Sequence, residues 1–153
     1  MLNRDFRDIL SAFTDAGVEY LLVGAYALAA HGLVRGTGDI DLWVRPTAEN
    51  AERIHRALLA FGAPAEHFAA EDFTKPDAVV QLGVPPLRVD ILTTISGVGF
   101  PEAWEGRTMV ELDGIDVPVL SRAHLVANKR SADRPKDRLD LRWLEEGPAP
   151  GDR

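Results

Sequence analysis

The 153-residue chain contains no cysteine, which excludes disulfides, thiolate metal sites and cysteine nucleophiles together. It also lacks a long apolar run at its start. The amino-terminal MLNRDFRDIL mixes acids with its hydrophobic residues, unlike a signal peptide or a membrane span, so a cytoplasmic protein with no membrane partner is expected. Positive charge is in short supply: 17 Lys and Arg stand against 24 Asp and Glu, a net charge of −7. That balance argues against a protein that binds nucleic acid simply by coating it. No internal repeat is present. The length predicts one domain over residues 1–146, large enough to bury a core without staples, followed by a flexible Pro- and Gly-rich tail over 147–153.

What is present is ordinary globular composition, 46% hydrophobic and 27% charged, with charge unevenly spread. Between Arg122 and Arg142 seven basic residues face three acids, a net of +4 that leaves −11 for the rest. A solvated helix with internal ion pairs is the ordinary explanation of such a run. A basic wall beside an acidic, phosphate-handling site is the functional one.

Apolar spacing at Phe6, Ile9, Leu10 and Phe13 predicts a helix over residues 3 to 16, ended by Gly17. Val18 to Val23 reads as a central strand. It runs into Gly24 and a short Ala- and Leu-rich helix from Ala25 to His31, where His31 is expected to cap or pack. A turn with no side chain lets helix-start N–H groups approach a phosphate, although close packing of helix on strand selects glycine equally well. Pro46 and Thr47 open a further helix to Gly62, and residues 63 to 76 read as an irregular excursion. Ala78 to Leu82 and Leu87 to Leu92 form an antiparallel pair with a loop longer than a tight hairpin around Pro85 and Pro86. One helical turn is expected around Trp104. Asp113-Gly114 marks a hairpin between Thr108 to Leu112 and Ile115 to Leu120. Ser121 caps a helix with Leu125 and Val126, and Pro135 starts another running to Leu144.

The most informative stretch is Asp39-Ile40-Asp41-Leu42. Side chains alternate along a strand, so Asp39, Asp41 and Trp43 share one face while Ile40, Leu42 and Val44 enter the core. Two neighbouring carboxylates repel unless a cation sits between them, and Mg²⁺ suits such oxygen ligands. Taken alone, the pair reads as a solvated strand edge. Its company changes that. Arg35 lies four residues earlier, placed either to neutralise the acids or to hold a phosphate. On the later strand, Arg88 and Asp90 share a face opposite Leu87, Val89 and Ile91, which makes Asp90 a third carboxylate. In the last helix Asp137, Asp140, Leu141 and Leu144 fall on one face, so the two acids need cations, with Lys129, Arg130 and Arg134 the near candidates. Structural pairing is the plain reading there, while a lysine held near metal could instead grip a triphosphate.

These residues resemble the signature of the DNA polymerase beta-like nucleotidyltransferase superfamily. Gly24-Ala25, thirteen intervening residues, Asp39-Ile40-Asp41-Leu42 and Val89-Asp90-Ile91 stand in its order. Arg35-Gly36-Thr37 before the acids, and Lys129, Arg134, Lys136-Asp137 and Asp140 after them, are similar to motifs of small bacterial toxin-type enzymes of abortive-infection and toxin–antitoxin systems. One departure is Ala25, where the superfamily usually has Gly or Ser; it offers a backbone N–H and no hydroxyl.

The resemblance implies an α+β fold, a small mixed β-sheet backed by helices on one side with the site on the other and a carboxy-terminal helical segment. It implies two Mg²⁺ ions, replaceable by Mn²⁺, held by Asp39, Asp41 and Asp90. Gly24, Ala25, Arg35, Thr37 and Lys129 would bind the nucleoside triphosphate, ATP or another, with Arg134, Asp137 and Asp140 in support. The expected reaction is transfer of a nucleoside monophosphate to a hydroxyl of RNA, protein or a small molecule. Two other readings stay open: a catalytically weak or inactive nucleotide-binding protein that works with a cognate partner protein, and an interaction module that kept only the fold.

Overall fold

In the computed structural model, which describes residues 2–34, 38–84 and 87–146, the first periodic segment is helix α1 (Arg4–Asp15), with Phe6, Ile9, Leu10 and Phe13 buried as their spacing requires. Asn3 caps it, its side-chain oxygen accepting the Asp5 N–H at 2.8 Å. Strand β1 (Tyr20–Val23) is buried along its whole length and leads directly into α2 (Gly24–Ala30). Strand β2 (Asp39–Val44) then returns antiparallel to β1, pairing Val23 with Asp41 and Tyr20 with Val44.

Helix α3 (Ala48–Phe61) starts at Thr47, whose side chain accepts the Asn50 N–H, and ends at Gly62 in the left-handed region, φ 101°. Buried Asn50 holds that helix to the sheet. Its amide nitrogen donates to the Glu19 and Arg45 carbonyls, both at 2.9 Å, and its oxygen accepts the Glu19 N–H at 2.8 Å. The excursion after α3 contains two 3₁₀ turns, Ala65–His67 and Ala70–Phe73, and it buries Phe68 and Phe73 against the core.

Strands β3 (Val79–Val84) and β4 (Leu87–Leu92) are antiparallel as expected. The predicted loop between them is corrected, because pairing continues through Gly83 to Val84 opposite Leu87. Only positions 85 and 86 connect the strands, and these lie outside the described residues. Helix α4 (Phe100–Glu105) supplies the turn around Trp104. Strands β5 (Thr108–Leu112) and β6 (Ile115–Val119) form the Asp113-Gly114 hairpin. Both turn residues have positive φ, 50° and 83°, the geometry that matches strand twist in a two-residue loop. Helix α5 (Arg122–Ala132) is capped by Ser121, and α6 (Pro135–Glu146) begins on its proline.

The six strands form one mixed sheet in the order β3-β4-β2-β1-β6-β5. The β2–β4 and β1–β6 pairs are parallel and the others antiparallel. Ile40, Leu42 and Val44 are buried, as the alternation predicts. Trp43, on the carboxylate face, is buried as well, because Phe100 of α4 packs edge-on against it at 5.0 Å between ring centroids. Helix α4 therefore covers one end of that face, and the acids occupy the other. Among the described residues no helix is long and apolar enough to cross a membrane.

Candidate active site

Three carboxylates share one face of the adjacent parallel strands β2 and β4. The register places Asp41 beside Asp90, and Asp39 beside Arg88. Parallel pairing explains the convergence: acids at alternate positions of two strands in register share one face. Asp90 is buried, and Asp39 and Asp41 are half-buried.

Arg88 stands among them. Its Nε donates to Asp90 Oδ1 at 2.8 Å, and its Nη2 donates to Asp90 Oδ2 and to Asp39 Oδ2, both at 3.1 Å. The fork grips one carboxylate with two donors and ties it to a second on the neighbouring strand. The face parity of Arg88 with Asp90 was visible in the sequence, but no site role followed from it.

Arg88 does not bond Asp41. Burial, then the charges of Asp90 and Asp39, push the Asp41 carboxyl up from 3.8 to about 6, against the opposing pull of Arg88 and Lys136. Two things follow. Loss of solvent contact, added to the two neighbouring acids, outweighs the pull of Arg88 and Lys136 on Asp41. Lys136, in the first turn of α6, also acts on it, a residue marked in the sequence only by the R-x-K-D spacing.

Gly24 adjoins the same carboxylate. Its φ is +70°, and a Cβ built there would lie 2.3 Å from Asp41 Oδ2. The glycine is thus required by the Asp41 side chain of the neighbouring strand, which is the close packing that selects glycine here. No side chain caps the start of α2, so the first N–H groups of that helix, those of Gly24 and Ala25 included, lack intrahelical acceptors.

The carboxy-terminal motif forms a second cluster. Lys129 Nζ lies 3.1 Å from Asp137 Oδ1 and 3.3 Å from Asp140 Oδ2, with all three side chains buried. Arg134 adds bonds of 2.6 and 3.1 Å to Asp137. Burial works against the Asp137 charge, but the hydrogen bonds from Arg134 and Lys129 prevail and hold its carboxyl at about 2. This is the structural pairing expected of acids on an apolar helix face. Other basic residues of the segment are also paired: Arg130 with Glu145, Arg138 with Asp133 and Arg142 with Glu146. His31 packs as expected, its Nε2 lying 2.9 Å from the Leu120 carbonyl. Arg35 and Thr37, expected at the triphosphate, lie outside the described residues.

As placed, no group of three or more acids or histidines among the described residues is gathered to hold an ion. The donor set nonetheless fits a hard divalent cation. All three acids offer oxygen, they lie on one face of adjacent strands, and burial together with two neighbouring acids disfavours the bare Asp41 charge.

The chain matches, over residues 2–147, a family model described as a nucleotidyl transferase of unknown function (DUF2204). No curated protein matches it by sequence. Among solved structures it is similar to Thermotoga maritima TM1012, assigned as a nucleotidyltransferase, at 22% identity and a TM-score of 0.62, over 94% of this chain and 92% of that one. It is also similar to the lincosamide antibiotic adenylyltransferase LnuA with lincomycin bound, at 17% identity and a TM-score of 0.61, over 95% and 97% of the two chains. The antibiotic-resistance factor ANT(2″)-Ia in complex with adenylyl-2″-tobramycin gives 16% identity and a TM-score of 0.58, over 93% and 87%. At these identities the likeness establishes a shared fold.

Proposed function

The chain belongs to this nucleotidyl transferase family, and on that premise we propose that it moves a nucleoside monophosphate from a nucleoside triphosphate to a hydroxyl acceptor at Asp39, Asp41 and Asp90. The observation that carries the proposal is the in-register placement of Asp41 and Asp90 on parallel strands, with Asp39 beside them and the side-chain-free Gly24 against Asp41. Asp39, Asp41 and Asp90 would hold two divalent ions, Mg²⁺ or Mn²⁺. Such ions supply charge that stabilises the attacking and leaving oxygens of an in-line displacement at phosphorus.

The protein groups divide the remaining work. The open N–H groups at the start of α2 receive phosphate oxygens. Lys136 brings positive charge toward Asp41 from α6, and the cluster of Lys129, Arg134, Asp137 and Asp140 keeps that helix in place. Arg35 and Thr37 are assigned to the triphosphate on the strength of the motif alone. In the reaction the acceptor hydroxyl gives up its proton to solvent, its oxygen bonds to the α-phosphorus as the bond to the bridging oxygen of the β-phosphate breaks, and pyrophosphate leaves.

The acceptor is the finer part of the reading. The motif likeness to toxin-type enzymes supports RNA or protein, and the antibiotic-modifying neighbours support a small-molecule hydroxyl. A second reading, nucleotide binding without turnover in company with a partner protein, is favoured by Ala25, which lacks the hydroxyl that a serine would bring.

Incubation with α-labelled nucleotides and, separately, cellular RNA, cellular protein and hydroxyl-bearing small molecules tests the proposal. Label transferred by the wild type and lost in Asp39→Ala and Asp90→Ala supports the enzyme. Transfer that survives both changes overturns the site. Stabilisation by nucleotide and Mg²⁺ with no transfer to any acceptor supports the binding protein.

A further inference from the structure

We propose that Arg88 is a resident substitute for the cation, which holds Asp39 and Asp90 in place while the site is empty and must release them for an ion to bind. The inference rests on the reading of these carboxylates as ion ligands. It starts from geometry: Arg88 Nη2 lies 3.1 Å from an oxygen of each acid, and Nε lies 2.8 Å from the other oxygen of Asp90. Arg88 thus bridges two carboxylates on neighbouring strands. A divalent ion bound by the same two acids draws on oxygens that the guanidinium now bonds, both of Asp90 and one of Asp39, so the two cations compete for them.

The backbone decides how the exchange proceeds. Strand β4 lies between β2 and β3 and pairs with both along its length, so the Arg88 main chain is fixed. The side chain is not enclosed: it keeps 27% of its surface exposed, against 12% for Asp90. Arg88 can therefore leave the acids by turning its long side chain outward, with no change in strand pairing. An arginine serves this better than a lysine. Its planar fork satisfies both oxygens of Asp90 and still reaches Asp39, whereas an ammonium on the same stem is a point charge with no such span.

The consequence is that Arg88 weakens ion binding while it protects the empty site from repulsion among three acids. Replacing it is expected to reverse both effects. Mn²⁺ binding, read by the electron paramagnetic resonance signal of the free ion, is expected to be about tenfold tighter in Arg88→Gln than in the wild type, because a charge-assisted contact no longer has to be broken. The ion-free variant should melt lower and gain more in melting temperature from Mn²⁺ than the wild type gains. Arg88→Lys should fall between the two. In the wild type itself, the Arg88 Nε–H resonance should be protected from exchange in EDTA and lose that protection as Mg²⁺ is added.

Binding of Mn²⁺ to Arg88→Gln and Arg88→Lys that is equal to or weaker than wild-type binding overturns the inference, as does an Arg88 resonance that Mg²⁺ leaves unchanged. Failure of all three proteins to bind Mn²⁺ overturns the ion-ligand reading itself. Loss of wild-type binding in Asp39→Asn separates the two cases, since it keeps that reading whatever the Arg88 variants do.

Discussion

Asp41→Asn should make the ion-free protein more stable at neutral pH. The Asp41 carboxyl is raised from 3.8 to about 6, first by burial and then by Asp90 and Asp39. The folded protein therefore holds this proton more tightly than the unfolded chain does. Stability falls as pH rises from 3.8 to about 6, and it stays at the lower level above that. Each pH unit of elevation corresponds to about 1.4 kcal/mol, which sets an upper bound of about 3 kcal/mol. Solvent reaches this half-buried group, so about 1–2 kcal/mol is the expected size. Asparagine keeps the shape and removes the charge. Urea denaturation in EDTA should show the variant more stable by that amount at pH 7.5, with an unchanged m-value and a melting temperature higher by about 2–8 °C. The gain should shrink toward zero near pH 4, where the wild-type carboxyl is protonated. A variant no more stable than the wild type at pH 7.5, or one with the same gain at pH 4, would refute the argument that burial and the neighbouring acids disfavour the Asp41 charge.

Two further changes probe the supports of the site. Gly24→Ala places a methyl group where 2.3 Å separates it from Asp41 Oδ2, at a backbone φ of +70°; a loss of about 1–2 kcal/mol by denaturation is expected, together with loss of nucleotide transfer. Wild-type transfer by this variant would show that the close approach is not required. Asp137→Ala leaves the buried Lys129 ammonium with half its partners, and a loss of about 3–5 kcal/mol is expected by the same measurement. Because the Asp137 carboxyl is held at about 2 by Arg134 and Lys129 against its burial, its contribution should be complete above pH 4 and be lost as pH falls toward 2. A near-neutral effect of the substitution would mean that the α5–α6 cluster is not a lock.

Much of this was legible in the chain, and the exceptions have physical causes. The strand carrying Asp39 and Asp41 showed itself because period-two alternation left its acids opposite an apolar row. The β5–β6 hairpin declared itself through Asp113-Gly114, a pair suited to two consecutive positive φ values. The loop between β3 and β4 was misjudged because Gly83 reads as a turn residue, yet it lies inside a strand with its missing side chain toward the Leu87 carbonyl, 2.8 Å from where a Cβ would fall. The excursion after α3 carried no periodic signal, and its buried Phe68 and Phe73 answer to a tertiary surface that local spacing does not encode. At the site, the acids were found from spacing, whereas Arg88 was not. Face parity brought Arg88 beside Asp90, but its reach to Asp39 depends on the β2–β4 register, which is a property of the assembled sheet. Lys136 belongs to the R-x-K-D motif, but its action on Asp41 depends on how α6 is docked.

The claim on which the rest depends is transfer of the α-phosphoryl nucleotide at Asp39, Asp41 and Asp90. The most direct test supplies the same nucleoside triphosphate labelled at either the α- or the γ-phosphorus to the wild type and to Asp90→Asn, with Mg²⁺ and the pooled acceptors. With the wild type, α-label alone is expected to become attached to an acceptor while γ-label is released in pyrophosphate, and Asp90→Asn should do neither. Attachment of γ-label, or α-label transfer undiminished in Asp90→Asn, would contradict it.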